Sequence, residues 1–404
     1  MQVQTANIVI TKDSEQGADQ EKHLHRRPRL RIVQLLNSLA VGGAERMALN
    51  LALAQRDSGH EPLLYCIEAE GNLALEARAN GIRVTCFNKK AGKSVRAVAQ
   101  IANSLTRDGA DVLHTHNPSA HYYGAPAAWL ARIPVVNTRH SPVSSRGAEY
   151  RERYFRWLLG LTDEVVFVSR HAQQQIEPQW AGRHVATRVI PNGVPVARFR
   201  RQRTRSGSNQ PFVFGAIGRL VPVKCYDLLI DAFRLVQDRA PDSELHIVGD
   251  GPLLDDLRSH VISAGVQGRA RIEPARLDVG EVFRSFDAFV VSSSSEGLPM
   301  VVLEAMAAGL PIVSTRVGGI AEAVQEGSFG WFCAPGNCGE LADAMLATRR
   351  CSDLTERGQI AAQVAAAKYD VGSVAERYME LFAVLTRTAQ AKTVRAKKFG
   401  GSES

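Results

Sequence analysis

No apolar run in this chain is long enough to span a bilayer. The first residues also lack a secretory pattern, because Ile8-Val9-Ile10 gives way at once to a charged stretch. Cysteine is sparse. Cys66, Cys86, Cys225, Cys333, Cys338 and Cys351 form no Cys-x-x-Cys pair and no regular framework, which argues for reduced thiols in a cytosolic protein. The basic residues are scattered and not interleaved with aromatics, so no nucleic-acid partner is expected. Gly-x-Ser-x-Gly is absent, which excludes a nucleophile elbow. The phosphate-binding Gly-x-x-x-x-Gly-Lys-Ser/Thr is absent too, which excludes a P-loop nucleotide hydrolase.

What is present suits a soluble globular protein, with 45% hydrophobic and 22% charged residues. A length of 404 residues is too great for one core and fits two domains. The net charge of +8 is unevenly spread. Residues 30–195 carry 19 Lys and Arg against 13 Asp and Glu, whereas residues 211–385 carry 15 against 23. A basic first half suggests an anionic partner there, such as a lipid headgroup or a phosphate-bearing acceptor.

Residues 1–28 are polar and read as a disordered tail. Residues 29–195 alternate strand and helix signals, beginning with Arg-Leu-Arg-Ile-Val-Gln-Leu-Leu at 29–36. Residues 196–210 carry five arginines without apolar periodicity and read as a linker. Alternation resumes over 211–385, ending in a helix from Val371 to Leu385 placed to pack back on the first domain, and 386–404 read as a basic mobile tail. Two doubly wound parallel α/β domains facing across a cleft are expected, with ligands at the carboxyl edges of both sheets.

The candidate site residues follow strands. Gly42-Gly43 suit either a tight turn or close approach of backbone to a phosphate. His114 and His116 end a strand and share a side; a third metal ligand is not evident, and His116 is the better site candidate. Arg219 and Lys224 suit a diphosphate, against the alternative of solvated loop charges. Gly249-Asp250-Gly251-Pro252 needs no role beyond a turn. The stretch from Val290 to Gly319 reads strand, four serines, Glu296-Gly297-Leu298-Pro299, helix, strand and Gly318-Gly319. It sets a helix N-terminus at a sheet edge, with Pro299 at the first helical position. Glu304 interrupts the apolar helix Met-Val-Val-Leu-Glu-Ala-Met-Ala-Ala, which favours a ligand role such as holding ribose hydroxyls.

Six segments in one order carry a resemblance: Gly-Gly-Ala-Glu-Arg at 42–46, His-Thr-His at 114–116, Pro-Asn-Gly-Val at 191–194, Gly-Arg-Leu-Val-Pro-Val-Lys at 218–224, Gly-Asp-Gly-Pro at 249–252 and the glutamate-bearing stretch at 296–313. The chain resembles the family 4 glycosyltransferases of GT-B architecture over roughly residues 30–385. The resemblance implies transfer of a sugar from a nucleotide sugar with retention, without a metal or other cofactor. It places Arg219 and Lys224 on the diphosphate, Glu304 on the ribose, and Glu296 by the donor sugar with Gly297, Leu298, Pro299 and Met300. Gly42 and Gly43 close over the diphosphate, Gly249 and Gly251 belong to the donor side, and His116 contacts the sugar. His116, Glu296, Arg219 and Lys224 form the expected catalytic set.

Three positions depart from the family pattern. Cys225 stands where Gly is usual, Pro195 where Asp is common, and Pro274-Ala275-Arg276 replaces a Phe-x-Gly after a strand. The last concerns the base, so UDP is expected ahead of GDP or ADP. The acceptor is expected on the first domain, as a lipid-linked oligosaccharide, polysaccharide or other glycan. A basic, aromatic amphipathic segment with Arg151, Arg153, Tyr154, Arg156 and Trp157 suggests peripheral contact with the inner face of a membrane, against the alternative of an ordinary surface helix. A nucleotide-sugar epimerase and a non-catalytic sugar-nucleotide scaffold are the competing readings.

Overall fold

The computed structural model of the protein describes residues 29–140, 148–180, 182–200, 210–276 and 278–399. The expected tail at 1–28, residues 201–209 of the linker and residues 400–404 lie outside the described residues. The fold is α/β, with two parallel sheets. The first holds β1 (Arg31–Ser38), β2 (Glu61–Ala69), β3 (Arg83–Cys86), β4 (Val112–His116), β5 (Val135–Arg139), β6 (Glu164–Phe167) and β7 (Ala186–Val189), in spatial order β3-β2-β1-β4-β5-β6-β7. The second holds β8 (Phe212–Ile217), β9 (Ser243–Val248), β10 (Ala270–Glu273), β11 (Ala288–Val291), β12 (Ile312–Thr315) and β13 (Gly330–Cys333), in order β10-β9-β8-β11-β12-β13.

The chemistry of the central strands explains the parallel arrangement. β4, β5, β11 and β12 are buried along their whole length, as a strand covered by helices on both faces must be. In each sheet the winding reverses once, between β1 and β4 and between β8 and β11. Loops leaving adjacent strands at a reversal diverge to opposite faces and open a crevice at the carboxyl edge. Gly42-Gly43 and His116 therefore flank one crevice, and Arg219 and Glu296 flank the other.

The domains are joined at several levels. Val194 N–H donates to Tyr369 O at 2.8 Å, and Val371 N–H returns a bond to Val194 O at 3.0 Å. The largest apolar cluster passes through the junction, from Ile32 and Met47 to Leu298, Phe283, Tyr378 and Phe382. Glu322 of the second domain accepts from the N–H groups of Arg170 and His171 at the start of the Arg170–Ile176 helix, at 3.0 and 2.6 Å.

Three expectations need correction. The final helix does not stop at Leu385 but runs from Val371 to Phe399, so residues 386–399 are helix and not a mobile tail. Between Leu385 and Gly400 the chain has neither Gly nor Pro and is rich in Ala, Lys and Arg, so nothing in it breaks a helix. The linker, in turn, opens with a helical turn, Val196–Phe199, because Phe199 buries its ring edge-on to Phe283 at 6.1 Å. Pro299 sits one place outside its expected position, as the N-cap of the Met300–Ala307 helix.

Candidate active site

At the crevice of the second sheet, Ser292 and Ser294 fasten two loops together. Ser292 Oγ donates to Lys224 O at 2.8 Å, and Ser294 N–H donates to Val223 O at 2.9 Å. Glu296 Oε1 accepts from Lys224 Nζ at 2.5 Å and from Ser293 Oγ at 2.7 Å. The structure thus brings Lys224 and Glu296 together as a partly buried ion pair. The Tyr226 hydroxyl lies below, its pKa raised by burial and then by the charge of Glu296.

Gly249 and Gly251 serve the loop that carries Arg219. A Cβ on Gly249 would lie on the Gly218 carbonyl, and one on Gly251 would strike the Leu220 backbone at 2.4 Å. Gly318 is left-handed, at φ +53°, and wraps the Glu296 carbonyl closely. Cys225 also adopts the left-handed region, at φ +48°, which explains why glycine is the usual residue at this position.

Glu304 is 5% exposed, and burial pushes its pKa up to about 7. The positive charges of Arg46 and Arg198 oppose that rise. Arg46 comes from the first domain and Arg198 from the linker, so this carboxyl faces the junction. Across the cleft, Gly42 is the N-cap of the Gly43–Asp57 helix, and the Glu45 carboxylate bonds back to its own backbone amide in the first turn. Gly43 stands opposite Met300, whose Cγ lies 3.7 Å from where a Cβ on the glycine would be. The positive end of the helix dipole there suits a phosphate. Glu45, in the first turn, was not foreseen as a site residue. Burial raises its pKa, while the bond to its own backbone amide and then the charge of Arg219 from the other domain oppose the rise.

His116 behaves differently from the other candidates. It is 3% exposed, with Nδ1 2.9 Å from His140 Nε2 and Nε2 2.9 Å from the Gln34 side-chain amide. His114 Nε2 meets Thr138 Oγ1 at 2.7 Å, and that hydroxyl meets Tyr378 OH at 2.9 Å. Burial lowers the pKa of His114 to about 3 and of His140 to about 4, and holds His116 well below the usual imidazole range. Among the described residues, no group of three His, Cys, Asp or Glu side chains is placed to hold a metal ion. A cavity of about 440 Å³ opens beside Leu298, between Ser169 and Arg170 of one domain and Gly319 and Glu322 of the other.

Two facing doubly wound domains with cations, carboxylates and a helix N-terminus at their crevices define a GT-B architecture. The sequence agrees. Residues 41–198 match the model described as Glycosyltransferase Family 4, and residues 211–349 match the one described as Glycosyl transferases group 1. The chain belongs to the family 4 glycosyltransferases and is a glycosyltransferase.

The UDP-Gal:alpha-D-GlcNAc-diphosphoundecaprenol alpha-1,3-galactosyltransferase of Escherichia coli is 26% identical over 318 residues, 74% of this chain and 82% of that protein. The sulfoquinovosyl transferase SQD2 of Arabidopsis thaliana is 28% identical over 284 residues, 62% of this chain, which spans about half of it, 52%. Among solved structures, Anabaena HepE in complex with UDP-glucose superposes with a TM-score of 0.76 at 25% identity, over 88% of this chain and 100% of that one. Sucrose-phosphate synthase from Thermosynechococcus elongatus shares the fold, with a TM-score of 0.74 at 18% identity over 89% and 100%.

Proposed function

We propose that this enzyme moves a hexose from a UDP-sugar to a lipid-linked glycan, with retention and without a metal, at the inner face of a membrane. The observation that carries the reading is the Lys224–Glu296 ion pair at the β8/β11 crevice, with Arg219 in the same loop as Lys224 and buried Glu304 on the Met300–Ala307 helix, opposite the helix start at Gly42. In the reaction the bond from the sugar's anomeric carbon to the diphosphate oxygen breaks. The acceptor oxygen bonds to that carbon, and its proton leaves with the diphosphate. Arg219 and Lys224 neutralise the negative charge that grows on the leaving oxygen, which supplants a metal. Glu304 binds the ribose hydroxyls and loses its burial penalty by doing so. Glu296 exchanges Lys224 for the donor sugar.

UDP is supported by the relatives whose names carry it, the UDP-Gal transferase and the UDP-glucose complex of HepE. A diphosphate-linked polyprenyl acceptor is supported by the name of the former. Membrane contact is supported by exposed aromatics on the basic domain. Trp129 is 65% and Trp157 is 59% exposed, and Trp157 stacks on Tyr154 in the Ala148–Leu158 helix. The same helix is anchored by buried Phe155 and by Glu152, which pairs with buried Arg139 at 2.9 Å. Among the described residues no helix is long and apolar enough to cross a membrane.

The test is a melting-temperature screen with UDP-, GDP- and ADP-sugars, followed by transfer to a polyprenyl-diphosphate glycan in excess EDTA. A UDP-sugar should raise the melting temperature and give a product with unchanged anomeric configuration. A response to GDP- or ADP-sugars alone, an inverted product or loss of turnover in EDTA would each refute its part of the reading. Failure to sediment with anionic vesicles at low salt would remove the membrane part.

A further inference from the structure

Asn192 lies in the Pro191-Asn192-Gly193-Val194 run, which the donor chemistry above leaves without a task. Its side chain joins the domains. Nδ2 donates to the Leu298 carbonyl at 2.7 Å, and Oδ1 lies 3.2 Å from His140 Nδ1. The contacts continue inward. His140 Nε2 meets His116 Nδ1 at 2.9 Å, His116 Nε2 meets the Gln34 amide at 2.9 Å, and that amide meets the Gln55 amide at 3.1 Å. Gln55, Gln34, His116, His140 and Asn192 are all buried.

The hydrogen positions follow from the one end that has no choice. A carbonyl only accepts, so Asn192 turns its NH₂ to Leu298 and its oxygen to His140. That oxygen requires an N–H, so the His140 proton is on Nδ1. A neutral ring has one such proton, so His140 Nε2 accepts from His116 Nδ1–H. His116 Nε2 then accepts as well, and Gln34 must face it with nitrogen. The two ends of a primary amide have the same shape, so hydrogen bonding decides which way each glutamine turns. The opposite sense leaves Gln55 Nε2 a buried donor without an acceptor and sets a lone pair of His140 against the Asn192 oxygen. Turning both glutamine amides removes both faults, since an underused buried carbonyl costs less than an orphaned N–H. A doubly protonated His140 would also satisfy Asn192, but burial keeps that ring neutral at pH 7.

We propose that Gln55, Gln34, His116, His140 and Asn192 form a one-way hydrogen-bond chain ending on the Leu298 carbonyl, with the His116 and His140 protons on Nδ1, and that His140 and Asn192 are positioning residues for the donor loop. Each bond polarises the next in the same sense, so the chain resists reversal of any one member. Its far end holds the loop between Glu296 and Pro299 from the first domain. Gly319 N–H holds the neighbouring Gly297 carbonyl from the second, at 2.5 Å. The orientation of the Glu296 carboxylate and of the amides beside it therefore depends on a strand-end histidine of the other domain. The catalytic consequence rests on the glycosyltransferase reading; the proton positions do not.

Two experiments decide the matter. Histidine labelled with nitrogen-15 in the full chain, at pH 7 with no donor, should show both rings as neutral Nδ1–H tautomers, assigned by the signals lost in His116→Asn and His140→Asn. Either ring found as the Nε2–H tautomer or as imidazolium overturns the chain. Asn192→Asp keeps the shape but offers Leu298 an acceptor in place of a donor. It should cut kcat/KM by about tenfold through a higher donor KM, with the acceptor KM unchanged. An unchanged kcat/KM, or a loss confined to kcat as from a smaller folded fraction, overturns the positioning role. If the wild type turns over no UDP-sugar, the proposed function falls, while the ring tautomers still decide the chain.

Discussion

The two crevices are built from opposite materials. At the one between β1 and β4, the ends of β4 and β5 hold neutral rings, amides and hydroxyls bonded to one another out of reach of water. The one between β8 and β11 holds charges: Lys224 on Glu296, Arg219 facing Glu45, and Glu304 facing two arginines. A neutral buried network is costly to open and stays as it is. Charges paired at an edge can change partners when a ligand with more charge arrives. The first crevice is suited to hold geometry and the second to exchange it.

Acid should break this contrast most strongly. His114, His116, His121 and His140 are all held neutral by burial, with folded pKa values below the unfolded value. The unfolded chain takes up a proton at each as pH falls through about 6.5, and the folded chain does not. Stability is therefore full above that pH and declines as it falls toward about 4, by roughly 1.4 kcal/mol per pH unit for each such histidine. Urea melts at pH 7.5 and 5.5 should show the loss, and hydrogen exchange should locate it in the first domain. A flat profile would mean that these rings are not neutral in the fold.

Removing one charge comes next. Lys224→Ala should lower kcat by about 10²–10³-fold while leaving the melting temperature near that of the wild type. Near-normal turnover would remove Lys224 from the diphosphate. Glu304→Gln sharpens the comparison, because its two effects oppose each other. The folded pKa of Glu304 is raised to about 7, so its ionisation costs stability as pH rises from the unfolded value through that point. The glutamine variant should melt higher than the wild type at pH 8, match it at pH 4.5, and bind nucleotide about tenfold more weakly. Equal nucleotide affinity would exclude the ribose role. The smallest effect is Cys225→Gly, which should stabilise by about 1 kcal/mol, since the position is left-handed. Unchanged urea midpoints would show that the thiol repays its backbone cost.

The same contrast separates what the sequence revealed from what it concealed. Arg219, Lys224, Glu296 and Glu304 were legible because each sits in a loop or helix directly after a strand, where local order fixes position. Glu304 was conspicuous as an acid in an apolar helix. Gln34 lies inside β1, and neither His140 after β5 nor Asn192 in its Pro-Asn-Gly-Val segment carries a charge or a break in pattern that points to a partner. They reach the His116 array from sequence separations of 82, 24 and 52 residues along its successive bonds, and only strand order makes them neighbours. Glu45 is marked only by its burial and by the charge of Arg219 from the other domain, neither of which local sequence shows. The helical run past Leu385 was misread because its charges, and not its lack of breakers, governed the reading.

The last helix has one further consequence. Tyr378 and Phe382 lie against His114 and Thr138, so the first domain is completed by residues from the far end of the chain. The strands and helices of the second domain between residues 212 and 368 are contiguous and emerge from the ribosome as one piece. The first domain emerges earlier but waits with an open flank until the Val371–Phe399 helix has been made. A truncated message would therefore damage first the part of the protein that was synthesised first.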